Sequence, residues 1–162
     1  MASTYEKIAT TTLGSTTTAV TFSSISSAYT DIVLVVNGIM STGENALGIR
    51  FNTDAGANYG TTAIYGDSAN AQSLRFSNIT ECYVGRMDSL NNSTTIIQIQ
   101  NYSNATTYKT TLSRGASANI IMAQAGLWRN TAAITTISIR GFGLFADFLT
   151  GTTLNLYGIK AA

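Results

Sequence analysis

The sequence predicts an all-β fold, an antiparallel β-sandwich with jelly-roll-like connections, and three observations carry that expectation. Short runs rich in β-branched and aromatic residues alternate with clusters of Gly, Asn, Ser and Asp along the whole chain. Within several runs apolar and polar residues alternate with period two. Leu47, Ile49 and Phe51 oppose Gly48 and Arg50, Ile97 and Ile99 oppose Gln98 and Gln100, and Ile137 and Ile139 oppose Ser138 and Arg140. Helical periodicity, by contrast, is nearly absent. Short strands punctuated by turn residues suit two packed antiparallel sheets better than a parallel α/β sheet.

Taken in order, the predicted strands are Lys7–Leu13, Ala19–Phe22, Asp31–Ile39, Ala46–Asn52, Glu81–Asp88, Thr94–Asn101, Tyr108–Ser113, Asn119–Trp128, Ile134–Arg140 and Thr152–Ile159. Ile32–Val36 is apolar at every position, which predicts a central strand covered on both faces. One short helical turn is expected in "SSISSAYTD", with Ser23 or Ser24 as its cap. Residues 1–12 are the most polar and Thr-rich part of the chain and form a candidate N-terminal arm contacting neighbouring subunits. Residues 13–162 are then a single sandwich domain, because no linker or composition shift divides them. Within the arm, Ser3, Thr4, Tyr5 and Lys7 are the candidate contact residues.

The composition narrows the function classes. The chain has 162 residues, 44% of them hydrophobic but only 10% charged, against about 25% charged in an ordinary soluble domain. Thr and Ser fill about a quarter of it and Pro is absent. Thr packs well on a pleated surface and supplies hydrogen-bonding capacity without charge, a combination suited to a shell or fibre component. The formal net charge is +1, and Arg50, Arg75, Arg86, Arg114, Arg129 and Arg140 stand apart, so no basic stripe for nucleic acid is read. Cys82 is the single cysteine, which excludes an internal disulfide and reads as a buried free thiol in a strand. The start "MASTYEKIATTTL" lacks the pattern of a signal peptide. Apolar runs such as "DIVLVVNGIM" fall far short of the about 20 residues a bilayer demands, so no membrane partner is expected.

The absence of histidine removes the commonest acid–base catalyst and the usual catalytic zinc ligand. Ser-His-Asp and Cys-His arrangements are therefore excluded within one chain. A pair of carboxylates could still cleave glycosidic bonds, but Glu6, Asp31, Glu44, Asp54, Asp67, Glu81, Asp88 and Asp147 fall mostly at strand ends or turns. No catalytic residue, metal site or cofactor is expected. "FNTDAGANYG" carries oxygen ligands at Asn52, Asp54 and Asn58 around Gly56, yet lacks the acids and closing Glu of a calcium loop, and reads as a turn. "RGFGLF" reads as a bulge or tight bend at Gly141 and Gly143, with Phe142 and Phe145 packing under it. The N-x-Ser/Thr triplets at Asn78, Asn91, Asn92, Asn101 and Asn104 are expected in a Ser- and Thr-rich chain and carry no weight. Trp128, Tyr59, Tyr65, Tyr83, Tyr102 and Tyr157 could stack on sugars, but core and edge packing is the expected role.

Several stretches together resemble a group of small phage virion structural proteins, of the capsid decoration (cement) and tail-fibre-module type. These are Phe22, Ser23, Ser24 and Ile25 closing a strand, Tyr29, Thr30 and Asp31 opening the next, then "IRFNTDAGANY", "IQNYSNATTYKT" and "LNLYGI" at Leu154–Ile159. The group usually carries Pro after its Ser-Ser-Ile, where this chain has Ser26. The resemblance covers most of the chain and implies a virion surface protein of a tailed bacteriophage, made in the host bacterial cytoplasm.

No tandem repeat of the kind that builds fibre shafts is present, so the expectation is a decoration protein on the outer surface of the head. It would act as a homo-oligomer, a trimer about a local axis, bridging subunits of the major capsid protein. The alternative is a tail-fibre or receptor-binding module that grips host surface glycans through an aromatic and amide-rich patch near Trp128.

Overall fold

A computed structural model describes residues 4–42 and 45–160. The strands are β1 (Tyr5–Thr12), β2 (Ala19–Phe22), β3 (Asp31–Gly38), β4 (Asn45–Phe51), β5 (Tyr59–Gly66) and β6 (Ala71–Ile79). β7 (Cys82–Met87), β8 (Ser93–Gln100), β9 (Lys109–Ala116), β10 (Ile121–Trp128), β11 (Ile137–Gly141) and β12 (Thr153–Ile159) complete the set. All pairings are antiparallel. They form one sheet in the order β1-β12-β3-β8-β9-β10-β5-β6 and a second in the order β2-β11-β4-β7. The sheets pack face to face, so the chain is an all-β sandwich.

The topology follows from one folding pattern. Setting aside the consecutive hairpins β5–β6 and β9–β10 leaves β1-β12-β3-β8 facing β2-β11-β4-β7. In these, the first remaining strand pairs with the last, the second with the second last, and so inward to β4 with β7. A long antiparallel ribbon rolled up in this way is a jelly roll. The two hairpins then add four strands to one edge of one sheet, in the order β9-β10-β5-β6, so that this sheet outgrows its partner.

The alternation read from sequence decides which side chains face inward. Leu47, Ile49 and Phe51 of β4, Ile97 and Ile99 of β8, and Ile137 and Ile139 of β11 are all fully buried. Ile32, Leu34 and Val36 of β3 meet them from the larger sheet, and Val33 on the other face of β3 is also buried. Under the added strands a second cluster forms from Ala63, Tyr83, Ile120 and Met122. Between the two clusters the sheets approach closely through small residues. A Cβ on Gly85 would lie 2.8 Å from the Thr95 side chain, and one on Gly126 would lie 3.0 Å from Cys82 Sγ. The Gln124 amide spans this layer, donating to Ser113 Oγ at 2.9 Å and accepting from the Gly85 N–H at 3.1 Å.

Three expectations are corrected. "SSISSAYTD" is not helical. Two of its backbone donors go to distant segments, Ile25 N–H to Thr135 O in the loop before β11 at 3.0 Å and Thr30 N–H to Ile159 O on β12 at 2.8 Å, in place of a local turn of helix. In "RGFGLF" the bend is a short 3₁₀ turn over Phe142–Leu144, in which Gly143 takes φ 69°. Phe142 packs there against Phe76 and Tyr83, with ring centroids 5.7 Å from each, but Phe145 is 78% exposed. The boundary at residue 13 also falls inside the domain. Tyr5–Thr12 is the edge strand β1, in register with β12 from Tyr5↔Ile159 to Thr12↔Thr153. Ile8 and Ala9 pack against the core, which holds the strand on the sheet.

Candidate interaction surface

The polar groups most suited to chemistry are committed to holding the fold. Glu81 is 2% exposed; its Oε2 takes the Arg140 Nε–H at 2.6 Å and its Oε1 takes the Gly143 N–H at 2.6 Å. Arg50 Nε lies 3.5 Å from the same carboxylate and donates to Thr80 O at 3.0 Å. In the 51–60 segment the Asp54 carboxylate accepts from Gly56 N–H at 2.8 Å, Asn58 Nδ2 at 3.0 Å and Trp128 Nε1 at 2.7 Å. Burial works to raise the Asp54 pKa, but those bonds from Trp128, Asn58 and Gly56 outweigh it and hold the carboxyl below the ordinary range. Asn52 in turn accepts from Thr135 N–H at 2.8 Å and donates to Ala133 O at 2.7 Å. The residues that faintly suggested a calcium loop thus form a turn pinned to β10 and to the loop before β11.

The remaining reactive groups are equally enclosed. Cys82 is fully buried, and burial pushes its thiol up to about 12. Lys109 is buried with its ammonium donating to Thr107 O at 2.6 Å and Thr131 O at 3.0 Å, and burial lowers its pKa. Among the described residues no three His, Cys, Asp or Glu side chains gather as a metal site would need.

The aromatic residues follow the packing expectation. Trp128 is 1% exposed and stacks on Tyr59 at 6.2 Å. Tyr59 and Tyr102 are fully buried and Tyr83 nearly so. Tyr102 donates its hydroxyl hydrogen to Ser26 O, tying the β8–β9 loop to the segment after β2. Trp128 therefore cannot stack on a sugar arriving from solution.

The segments that carried the resemblance have structural roles. Tyr29 lies where a Cβ on Gly158 would stand, 2.2 Å from the Tyr29 ring, so "YTD" and "LNLYGI" fit each other through that glycine. Asp31 Oδ1 accepts the Asn101 N–H at 2.7 Å, and Asn104 Oδ1 accepts the Thr106 and Thr107 N–H groups at 2.7 and 2.9 Å. These bonds set the loop of "IQNYSNATTYKT".

What remains available for a partner is the outer face of the larger sheet. Register lines its side chains up in rows. One row reads Ile96, Arg114, Ala123, Ile64 and Ser73 across β8, β9, β10, β5 and β6. The next reads Gln98, Leu112, Ala125, Thr62 and Arg75, and on the other side Thr94, Ala116, Ile121, Gly66 and Ala71. Ile64 is 65% exposed, Leu112 51% and Ile121 73%. A groove of about 750 Å³ passes over Gly66, Ala71 and Ala123, bounded by Ile64, Ile121 and Arg114.

Of the arm residues, Ser3 lies outside the described residues. Thr4 accepts the Lys160 N–H through its carbonyl at 3.3 Å, and Tyr5 is 57% exposed. Lys7 is exposed on β1 and pairs with Tyr157, which puts it in the same row as Leu112. Three strands lie between them, four inter-strand steps or roughly 19 Å at ordinary strand spacing, so the sequence-derived arm and the exposed apolar strip share one face. The sequence alone does not show the strip, because β5 and β6 lack a readable apolar alternation; Ile64, Leu112 and Ile121, each set among small or polar residues, are its trace there. No protein-family model matches this chain, and no curated protein matches it in sequence.

Proposed function

We propose that the chain is a non-enzymatic structural protein in the virion of a tailed bacteriophage, a capsid decoration protein that stabilises the head by bridging major capsid subunits. The observation that carries this reading is a jelly-roll scaffold with one broad sheet face that exposes Ile64, Leu112 and Ile121, while its enclosed carboxylates, thiol and ammonium are tied up internally. The sequence resemblance to phage virion proteins supports it. Copies, three about a local axis, would lie across joints between subunits. Because they bind only the assembled shell, they stabilise it by mass action, as a ligand stabilises the state it prefers. Many weak contacts from Thr, Ser and Asn side chains add up through multivalency.

Immunogold labelling of purified particles tests the reading. Gold over the head is the expected result, followed by loss of heat and low-salt resistance in heads that lack the protein. Gold confined to the tail tip would favour the glycan-gripping module, with a platform at an exposed ring such as Tyr108 or Tyr5 rather than the buried Trp128. Absence of label from every particle would overturn the virion reading.

A further inference from the structure

We infer that the outer face of the two inserted hairpins, β5–β6 and β9–β10, is the docking surface for another protein whose contact zone is apolar at its centre and carries carboxylates at its rim. This rests on the shell-binding reading above and names the surface and the chemistry of its partner.

Three features argue for it. The four added strands widen one sheet beyond the jelly roll, and the second cluster beneath them buries their inner side chains. Their outer side nevertheless exposes Ile64, Leu112 and Ile121 together in adjacent rows. Isolated exposed apolar residues are ordinary, but a contiguous group on a flat sheet marks a contact surface. The small residues between them, Gly66, Ala123 and Ala125, leave a groove into which a partner's apolar side chains can fit.

The second feature is charge. Arg114 on β9 shares a row with Ile64, and Arg75 on β6 shares a row with Leu112; both are exposed with no hydrogen bond or ion pair to another described residue. No carboxylate occupies those rows. Asp67, in the turn after Gly66, accepts the Ala69 and Asn70 N–H groups at 2.9 and 2.6 Å instead. Guanidinium groups without internal partners at the margin of an apolar strip complement carboxylates on an opposing surface.

The third is self-exclusion. A second copy docked by the same face about a two-fold axis would meet an identical surface with Arg75 and Arg114 and no acid to pair them. Like-charge juxtaposition of that kind disfavours the complex. The face is therefore built for a different surface, which on the reading above is the exterior of the assembled head.

The test uses full-length protein, heads from particles lacking it, and the variants Ile121→Asp and Arg114→Glu. Both positions are exposed, so each variant should keep the parental melting temperature. Co-sedimentation with heads should weaken about tenfold or more for Ile121→Asp, the loss expected when a large aliphatic side chain is no longer buried on binding. Arg114→Glu should weaken binding and reduce its dependence on salt.

Heads that bind parent and both variants equally would overturn the face while leaving the shell reading intact. A parent that binds no heads would remove both. A parent that is oligomeric by sedimentation velocity, with variants that become monomeric, would make this a contact between copies. Flotation of the parent with phosphatidylglycerol vesicles, abolished in the variants, would make it a lipid surface. Either result would overturn the inference.

Discussion

At the residue scale, the groups that would attract a chemist are those the fold has silenced. Cys82 lies between the sheets with its sulfur facing Leu127 O at 3.6 Å and Gly60 O at 3.8 Å. Its thiol should resist maleimide in the folded protein at neutral pH and react completely in denaturant, which mass spectrometry would read directly. Glu81 illustrates the cost of breaking a buried pair. Removing its charge leaves Arg140 and the Gly143 N–H without their acceptor, so Glu81→Leu should cost about 3 kcal/mol in denaturant unfolding. Asp54 gives a pH signature. Its folded pKa is depressed, so its contribution is present above the ordinary carboxyl value, about 3.9, and disappears as pH falls through the lower folded value. Melting temperature should therefore decline in acid below about pH 4. Trp128→Phe, which deletes the donor at 2.7 Å, should be less stable at pH 7 by about 2 kcal/mol and show a shallower acid decline.

At the scale of elements, the same residue type has opposite importance on the two faces of one sheet. Leu34 on β3 is fully buried, whereas Leu112 on β9 is 51% exposed. Leu34→Ala should lower unfolding free energy by about 2–5 kcal/mol, and Leu112→Ala by less than about 0.5 kcal/mol, as urea titration would measure. β1 carries a related expectation. Because it pairs with β12 along its whole length, deleting residues 1–12 should expose the β12 edge and destabilise the domain as well as affect any contact with neighbours. Lys7→Glu is the cleaner probe of that margin, since Lys7 is exposed and its strand stays in place. The hairpins β5–β6 and β9–β10 lie outside the rolled pattern and support the apolar strip, while the eight rolled strands support the core.

For the molecule as a whole, the division between a closed interior and an open face shapes what the protein can do. The smaller sheet covers the inner side of β1, β12, β3 and β8 and, through β7, part of the added strands; among the described residues, none covers the outer side of β9, β10 and β5. A single block with one such face suits repeated placement on a regular lattice, where each weak contact is multiplied by the number of copies. If the decoration reading holds, heads should bind the protein to a fixed stoichiometry, and the bound copies should delay thermal rupture in a concentration-dependent way.

The sequence by itself determined the strand class, ten of the strands and, in three of them, the inward-facing residues, because period-two alternation reports burial directly wherever one face is wet and the other dry. It also pointed to a buried Cys82 and to packing roles for Trp128 and Tyr59, which the structure places inside. The tertiary structure alone decided the rest. β6 escaped notice because Ala71–Ile79 is exposed along nearly its whole length and so carries no alternation. β5 escaped because its inward positions, Thr61 and Ala63 among them, are small enough to meet the Thr, Ser and Gly layer, which a hydrophobic pattern does not register. Likewise, the exposed strip joins Ile64, Leu112 and Ile121 through strand register, a relation between residues distant in sequence that is fixed only when the sheet assembles.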